Sequence, residues 1–182
     1  DVTELALTPW QRTGGKGAYI DLKGMEGFTG LYVGEIPAGG ALNPEHHLYE
    51  ELIYIIKGIG ATELWSAGDE KRKMHFEWQQ GSLFAIPLNT RHRMINGSRE
   101  PVFFLAVTSA PLMIDLLHNI PFVMGSDYKF DDRFDGQSNY FVPTNSRKEL
   151  GGFINWETNF IADARGALVD PSEAKGFGVK IT

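Results

Sequence analysis

GSLFAIPLNTRHRMIN, from Gly81 to Asn96, reads as a strand ending in a turn that Pro87 initiates, followed by a second strand that carries His92. Asn89 stands in the turn, and Asn is, after Gly, the residue that best tolerates a left-handed backbone. This unit belongs to a longer series. From Ala18 to Thr108 the chain is a succession of short runs rich in β-branched and aromatic residues: AYIDL, TGLYVGEIP, ELIYIIKG, GATELWSA, KMHFEW, GSLFAIP, RHRMIN and VFFLAVTS. Gly, Pro and Asn punctuate them at intervals of about eight to twelve residues, as an all-β sandwich or barrel requires. A series of this length allows a closed barrel, and closure removes the exposed edges that open sheets must guard. The expectation is a jelly-roll barrel over about residues 18–110.

After Ala110 the pattern changes. PLMIDLLHN places Leu112, Asp115 and Leu116 at helical spacing, with Pro111 at a helix start, where its missing N–H costs nothing. One short helix is expected there. PFVMGSDYKFDDRFDGQSNY, residues 121–140, mixes aromatics with acids and keeps no period, so a long loop packed over the barrel is expected, of the kind that can act as a lid. From Gly151 to the end, Trp156 and Phe160 are the expected anchors in a stretch without clear periodicity. Residues 1–182 then form a single domain, with the barrel core at about 18–110 and the helix and a packed extension at 111–182.

Composition narrows the function classes. Apolar residues make up 42% of the chain and charged residues 22%, the balance of a folded protein, and 182 residues suffice for one domain with a real core. The net charge is -6, and the compact basic cluster Lys71, Arg72 and Lys73 is too short to neutralise a run of phosphates, which argues against nucleic acid as a partner. No stretch approaches the ~20 apolar residues that span a bilayer. DVTELALTPW lacks the basic start and apolar run of a secretory signal, so a soluble, cytoplasmic protein without a membrane partner is expected. The absence of cysteine removes disulfides, thiolate nucleophiles and sulfur-ligated zinc together; any metal must be held by imidazole and carboxylate. Asp1 in place of Met fits a processed or trimmed piece of something longer.

The opening stretch has a second reading, in its spacing: Gly81, five residues, Pro87, one residue, Asn89, two residues, His92, three residues, Asn96. It resembles the second motif of the cupin superfamily, G-x5-P-x-G-x2-H-x3-N, with Asn89 replacing the middle Gly. The first cupin motif, G-x5-H-x-H-x3/4-E-x6-G, is to be tested on GGALNPEHHLYEELIYIIKG, residues 39–58. Glu51, six residues and Gly58 fit its right-hand half. Counting from Gly39, the histidine positions fall on Glu45 and His47; counting from Gly40, they fall on His46 and Leu48. Side chains alternate along an extended segment, so Glu45, His47 and Glu51 share one face while His46 points the other way. Only the first register gives convergent ligands; His46 in place of His47 is the alternative.

The resemblance to metal-binding cupins therefore implies a site of Glu45, His47, Glu51 and His92, with Glu45 where the family usually has His. Two imidazoles and two carboxylates suit a divalent metal ion, Fe(II) or Mn(II) first, with Zn, Ni or Co also compatible. By the same alternation Ile53, Ile55 and Met94 face inward and line the pocket, or simply pack the core. His75 and His118 have no partner at ligand spacing, and His118 ends the short helix.

PEHHLYEELIYIIKGIG, with FEWQQGSLFAIPLN and INWETNF, is similar to bacterial cupins without an assigned reaction that carry one or two cupin domains per chain. Within that group the chain resembles the first of two domains, from about Gly30 onward. The resemblance implies the fold and the metal site; the expectation built on them is a metal-dependent enzyme acting on a small organic acid or aromatic, foremost a dioxygenase-type oxidoreductase, with Glu51, or else Glu45, as the catalytic base. The same donors also suit a Lewis-acid isomerase, lyase or hydrolase. A non-catalytic small-molecule-binding or structural module is the reading from another class, motivated by Glu45 in a His position. A homodimer, or pairing with a second cupin domain, is the expected assembly.

Overall fold

The computed structural model of the chain describes residues 1–24, 27–144, 147–150, 153–166 and 177–180. Each of the β-rich runs forms a strand. After a short β1 (Thr8–Pro9) come β2 (Lys16–Ile20), β3 (Gly30–Ile36), β4 (Glu51–Lys57), β5 (Ile59–Trp65), β6 (Met74–Gln79), β7 (Leu83–Ile86), β8 (Arg91–Ile95) and β9 (Val102–Thr108). Two helices, α1 (Ala110–Leu117) and α2 (Ile120–Gly125), precede β10 (Arg147–Leu150), β11 (Phe153–Glu157), β12 (Phe160–Ile161) and β13 (Phe177–Lys180).

The strands form an antiparallel sheet in the order β1-β2-β3-β9-β4-β7-β12 and a second in the order β6-β5-β8. Burial alternates at period two: β4 buries Glu51, Ile53 and Ile55, β7 buries Phe84 and Ile86, and β8 buries His92 and Met94. Leu64, Trp78 and Met94 of the smaller sheet join Ile36, Ile53, Ile55, Phe84 and Phe104 of the larger in one apolar cluster. The two sheets therefore close on a shared core as a jelly-roll barrel.

Beyond the barrel the structure adds more order than the sequence suggests. Residues 121–140 begin inside a second helix, with Pro121 in the first turn of α2 and the Asn119 side chain accepting from the Phe122 N–H. Six residues are too few for a 3.6-residue period to show. Val123 is buried against Leu48 and Tyr49, and Phe134 and Phe141 enter the main core, so the segment is anchored by apolar contacts. A further sheet, β10-β11-β13, follows. Phe160 is buried in the core, while Trp156 is half-buried and donates its indole N–H to the Thr144 carbonyl. Residues 151–152, 167–176 and 181–182, part of the C-terminal stretch read from Gly151, lie outside the described residues. No helix among the described residues is long and apolar enough to cross a membrane.

Each fixed point of the 81–96 stretch has a physical task. Gly81 has φ 91°, and a Cβ there would collide with the Asp163 carboxylate. The Thr90 N–H closes the turn on the Pro87 carbonyl at 3.0 Å, with Asn89 at φ 56°. Asn96 is fully buried: its amide nitrogen reaches the carbonyls of Ile36, Pro37 and Glu100, and its oxygen accepts from the Ser98 N–H and hydroxyl. Asn96→Ala would leave several buried groups unpaired and should lower the unfolding free energy by about 2–4 kcal/mol. Urea denaturation measures this, and a midpoint equal to that of the parent protein would contradict it.

Candidate metal centre

The chain from Glu45 to His47 is not a strand, yet it is held firmly against β8. Glu45 and His92 exchange both backbone hydrogen bonds at 2.9 Å, and the Asn89 N–H donates to the His47 carbonyl at 3.1 Å. The chain then bends at Leu48 and Tyr49 before β4 begins at Glu51. Strict strand alternation therefore does not run from 47 to 51, contrary to expectation. The bend nevertheless returns Glu51 to the side on which His47 lies.

His47, Glu51 and His92 come together and are all buried, each offering one ligand atom within 4.8 Å of the others. His47 Nε2 lies 3.5 Å from Glu51 Oε2, and His92 Nε2 lies 3.9 Å from the same oxygen. Both imidazoles are oriented from behind: Nδ1 of His47 meets the Tyr49 carbonyl at 2.9 Å, and Nδ1 of His92 meets the Thr90 carbonyl at 3.0 Å. A carbonyl only accepts, so a proton sits on each Nδ1, and Nε2 is the ring nitrogen turned toward Glu51. Tyr49 also stacks flat on His47, ring centroids 3.7 Å apart. The Tyr32 hydroxyl donates to Glu51 Oε1 at 2.7 Å.

The electrostatics suit a cation. Burial, with the neighbouring His47, pushes the His92 pKa down to about 4, so that imidazole is neutral at pH 7. Burial alone would raise that of Glu51, but the facing imidazoles of His47 and His92 and the Tyr32 hydroxyl reverse this and hold it below the ordinary carboxylate range. Burial and the adjacent Glu51 keep Tyr32 protonated, hence a donor. His47 Nε2 is buried without a hydrogen-bond partner, a costly state for an acceptor unless something electron-poor meets it. Two imidazoles and one carboxylate, oriented from behind, are a donor set fit for a divalent metal.

Glu45 stands apart from this group. One oxygen lies 4.0 Å from His92 Nε2, while the other is taken by the Arg12 guanidinium. Arg12 comes from the turn between β1 and β2, and no pattern in the sequence pointed to it. Tyr32 was legible in principle, since a phenol in an apolar strand run needs a buried partner. His46 faces away, with Nδ1 3.4 Å from Arg91, which in turn pairs with Asp127 at 2.7 Å. His75 is exposed on β6, and His118 caps α1 in a left-handed conformation.

Ile53 and Met94 line a small cavity beside Glu51 and His92, together with Tyr32, Leu42 and Phe104. Its volume of about 10 Å³ holds roughly one water molecule. Ile55, farther along β4, is buried in the core cluster and does not border that cavity.

A family model described as Cupin matches residues 26–133. Among solved structures the chain is similar to an oxalate decarboxylase of Lactobacillus farciminis in a formate complex, at 22% identity, 65% of this chain, 40% of that chain and a TM-score of 0.49. It is also similar to vicilin from hazelnut, Corylus avellana, at 19% identity, 57% and 31% coverage and a TM-score of 0.47. The coconut allergen cocosin gives 23%, 58%, 32% and 0.46. The chain spans less than half the length of each. A search of curated proteins gives no match.

Tyr32→Phe removes the donor that holds Glu51 Oε1 while keeping the ring. Loss of such an outer partner should weaken divalent-metal affinity by roughly 10–100-fold. Competition against a chelating indicator reads this, and unchanged affinity would contradict the role given to the phenol.

Proposed function

The chain belongs to the cupin family, and from that premise we propose that it is a metal-dependent enzyme, of dioxygenase type, acting on a small organic acid or aromatic. The observation that carries the reading is the convergence of His47, His92 and Glu51 with Glu45 drawn away by Arg12. Two histidines and one carboxylate with remaining positions open are the donor set of non-haem Fe(II) oxygenases. When bound, Fe(II) or Mn(II) would supply a Lewis acid and a redox centre for O2; Zn, Ni or Co would supply the Lewis acid.

The protein's own residues do the rest. Tyr49 and Thr90 present the two Nε2 atoms by holding the opposite ring nitrogens. Tyr32 occupies one oxygen of Glu51, so the other, facing both imidazoles, is the atom that would complete the donor set for the metal. Leu42, Ile53, Met94 and Phe104 wall the one-water cavity beside Glu51 and His92, which limits water at the metal group.

Protein purified mildly and loaded with Fe(II) should hold near one equivalent of metal, and His92→Ala should hold far less. A metal concentration of a hundred times the dissociation constant should add ~2.7 kcal/mol to the stability of the parent protein. Oxygen uptake with a panel of small acids and phenols then tests the reaction type. Turnover under nitrogen would replace the dioxygenase reading with Lewis-acid chemistry. Metal content below about a tenth of an equivalent with no rise in melting temperature would favour a non-catalytic module.

A further inference from the structure

We propose that Arg12 is a carboxylate-binding residue of this centre, and that Glu45 is an internal stand-in for the carboxylate of a small organic acid. The proposal deepens the enzyme reading above by assigning its acid-recognising group, and it starts from how one side chain is shared. The Glu45 carboxylate bridges two groups: one oxygen on the Arg12 guanidinium, the other 4.0 Å from His92 Nε2. Any carboxylate taking its place would be anchored by Arg12 at one end and would present its second oxygen at the edge of the His47–Glu51–His92 group. Guanidinium and carboxylate match as a planar fork, which makes Arg the side chain suited to this task.

Arg12 is also fixed in advance. Its carbonyl and that of Gln11 accept from the Asn43 amide at 3.1 and 3.3 Å, and the Asn43 N–H reaches the Thr13 carbonyl at 2.7 Å. Trp10 packs on Tyr32, ring centroids 5.2 Å apart. The turn is therefore tied at several points to residues that shape the metal group. Its exposure is asymmetric: the Arg12 side chain is 38% exposed and that of Glu45 only 11%. Solvent and solutes reach the guanidinium from outside while its present partner sits on the inner side. Because that partner is tethered, it competes with any free acid at a high effective concentration. Removing its charge should uncover the site.

The test titrates propionate, a weak chelator, into metal-free and metal-loaded protein at constant ionic strength. Binding is read by the fluorescence of Trp10, with Trp10→Phe as the blank. Glu45→Gln should bind propionate at least about tenfold tighter than the parent protein, with or without metal. Adding Arg12→Gln should erase that gain. Equal affinity in Glu45→Gln and the parent, or a gain that survives Arg12→Gln, overturns the proposal. Should Glu45→Gln melt early, Glu45→Ser carries the same comparison. Metal content on the same samples separates the two readings. A propionate gain in protein that takes up no metal sinks the metal enzyme alone, and full metal uptake without the gain sinks the carboxylate site alone.

Discussion

The site depends on a backbone contact more than on any side chain. The paired hydrogen bonds between Glu45 and His92, with the third from Asn89 to the His47 carbonyl, hold a non-strand segment against the entry of β8. His47 and His92 come from separate parts of the chain, and these bonds bring their rings within 5.5 Å, edge to face. The third bond exists because the turn at Asn89 is left-handed, which aims the N–H at His47 and frees the side-chain amide for the Ser126 and Tyr128 carbonyls. One residue thus fastens the first histidine, the second strand and the segment after α2.

Given that scaffold, the electrostatics follow. A buried, isolated carboxylate is expensive by several kcal/mol, and Glu51 is tolerated because Tyr32 donates to one oxygen and the imidazoles face the other. With His92 neutral and both Nδ1 atoms committed to carbonyls, two Nε2 atoms and a carboxylate point at one region. A second inward carboxylate would add like-charge repulsion in a low-dielectric space. Arg12 relieves this by neutralising Glu45 at the rim.

Much of this was legible before any coordinates. The strand runs, the helix at Pro111 and the left-handed turn at Asn89 follow from periodicity and residue chemistry, because each is a local property of a few neighbouring residues. Helix α2 was hidden by its shortness, and β12 by having two residues and a partner, β7, far back in the chain. Spacing brought out His47, Glu51 and His92, although the alternation used to connect 47 with 51 is interrupted by the bend at Leu48 and Tyr49. Tyr49 and Arg12 required the fold, since nothing near them in the chain says what they will touch; for Tyr32 the strand run shows that a buried phenol needs a partner but not that the partner is Glu51.

Glu45 shows why spacing and side-chain partnership are separate questions. Its backbone lies where the motif register puts it, bridged to His92, and a histidine there would have its ring directed by that same backbone. A carboxylate has two equivalent oxygens and can divide itself between neighbours, so its direction is decided by competition between charges. The Arg12 guanidinium, its backbone tied to Asn43, takes one oxygen, and the other is left 4.0 Å from His92 Nε2. The guanidinium holds Glu45 in this structure, so a residue at a histidine position of the motif is not among the three that converge.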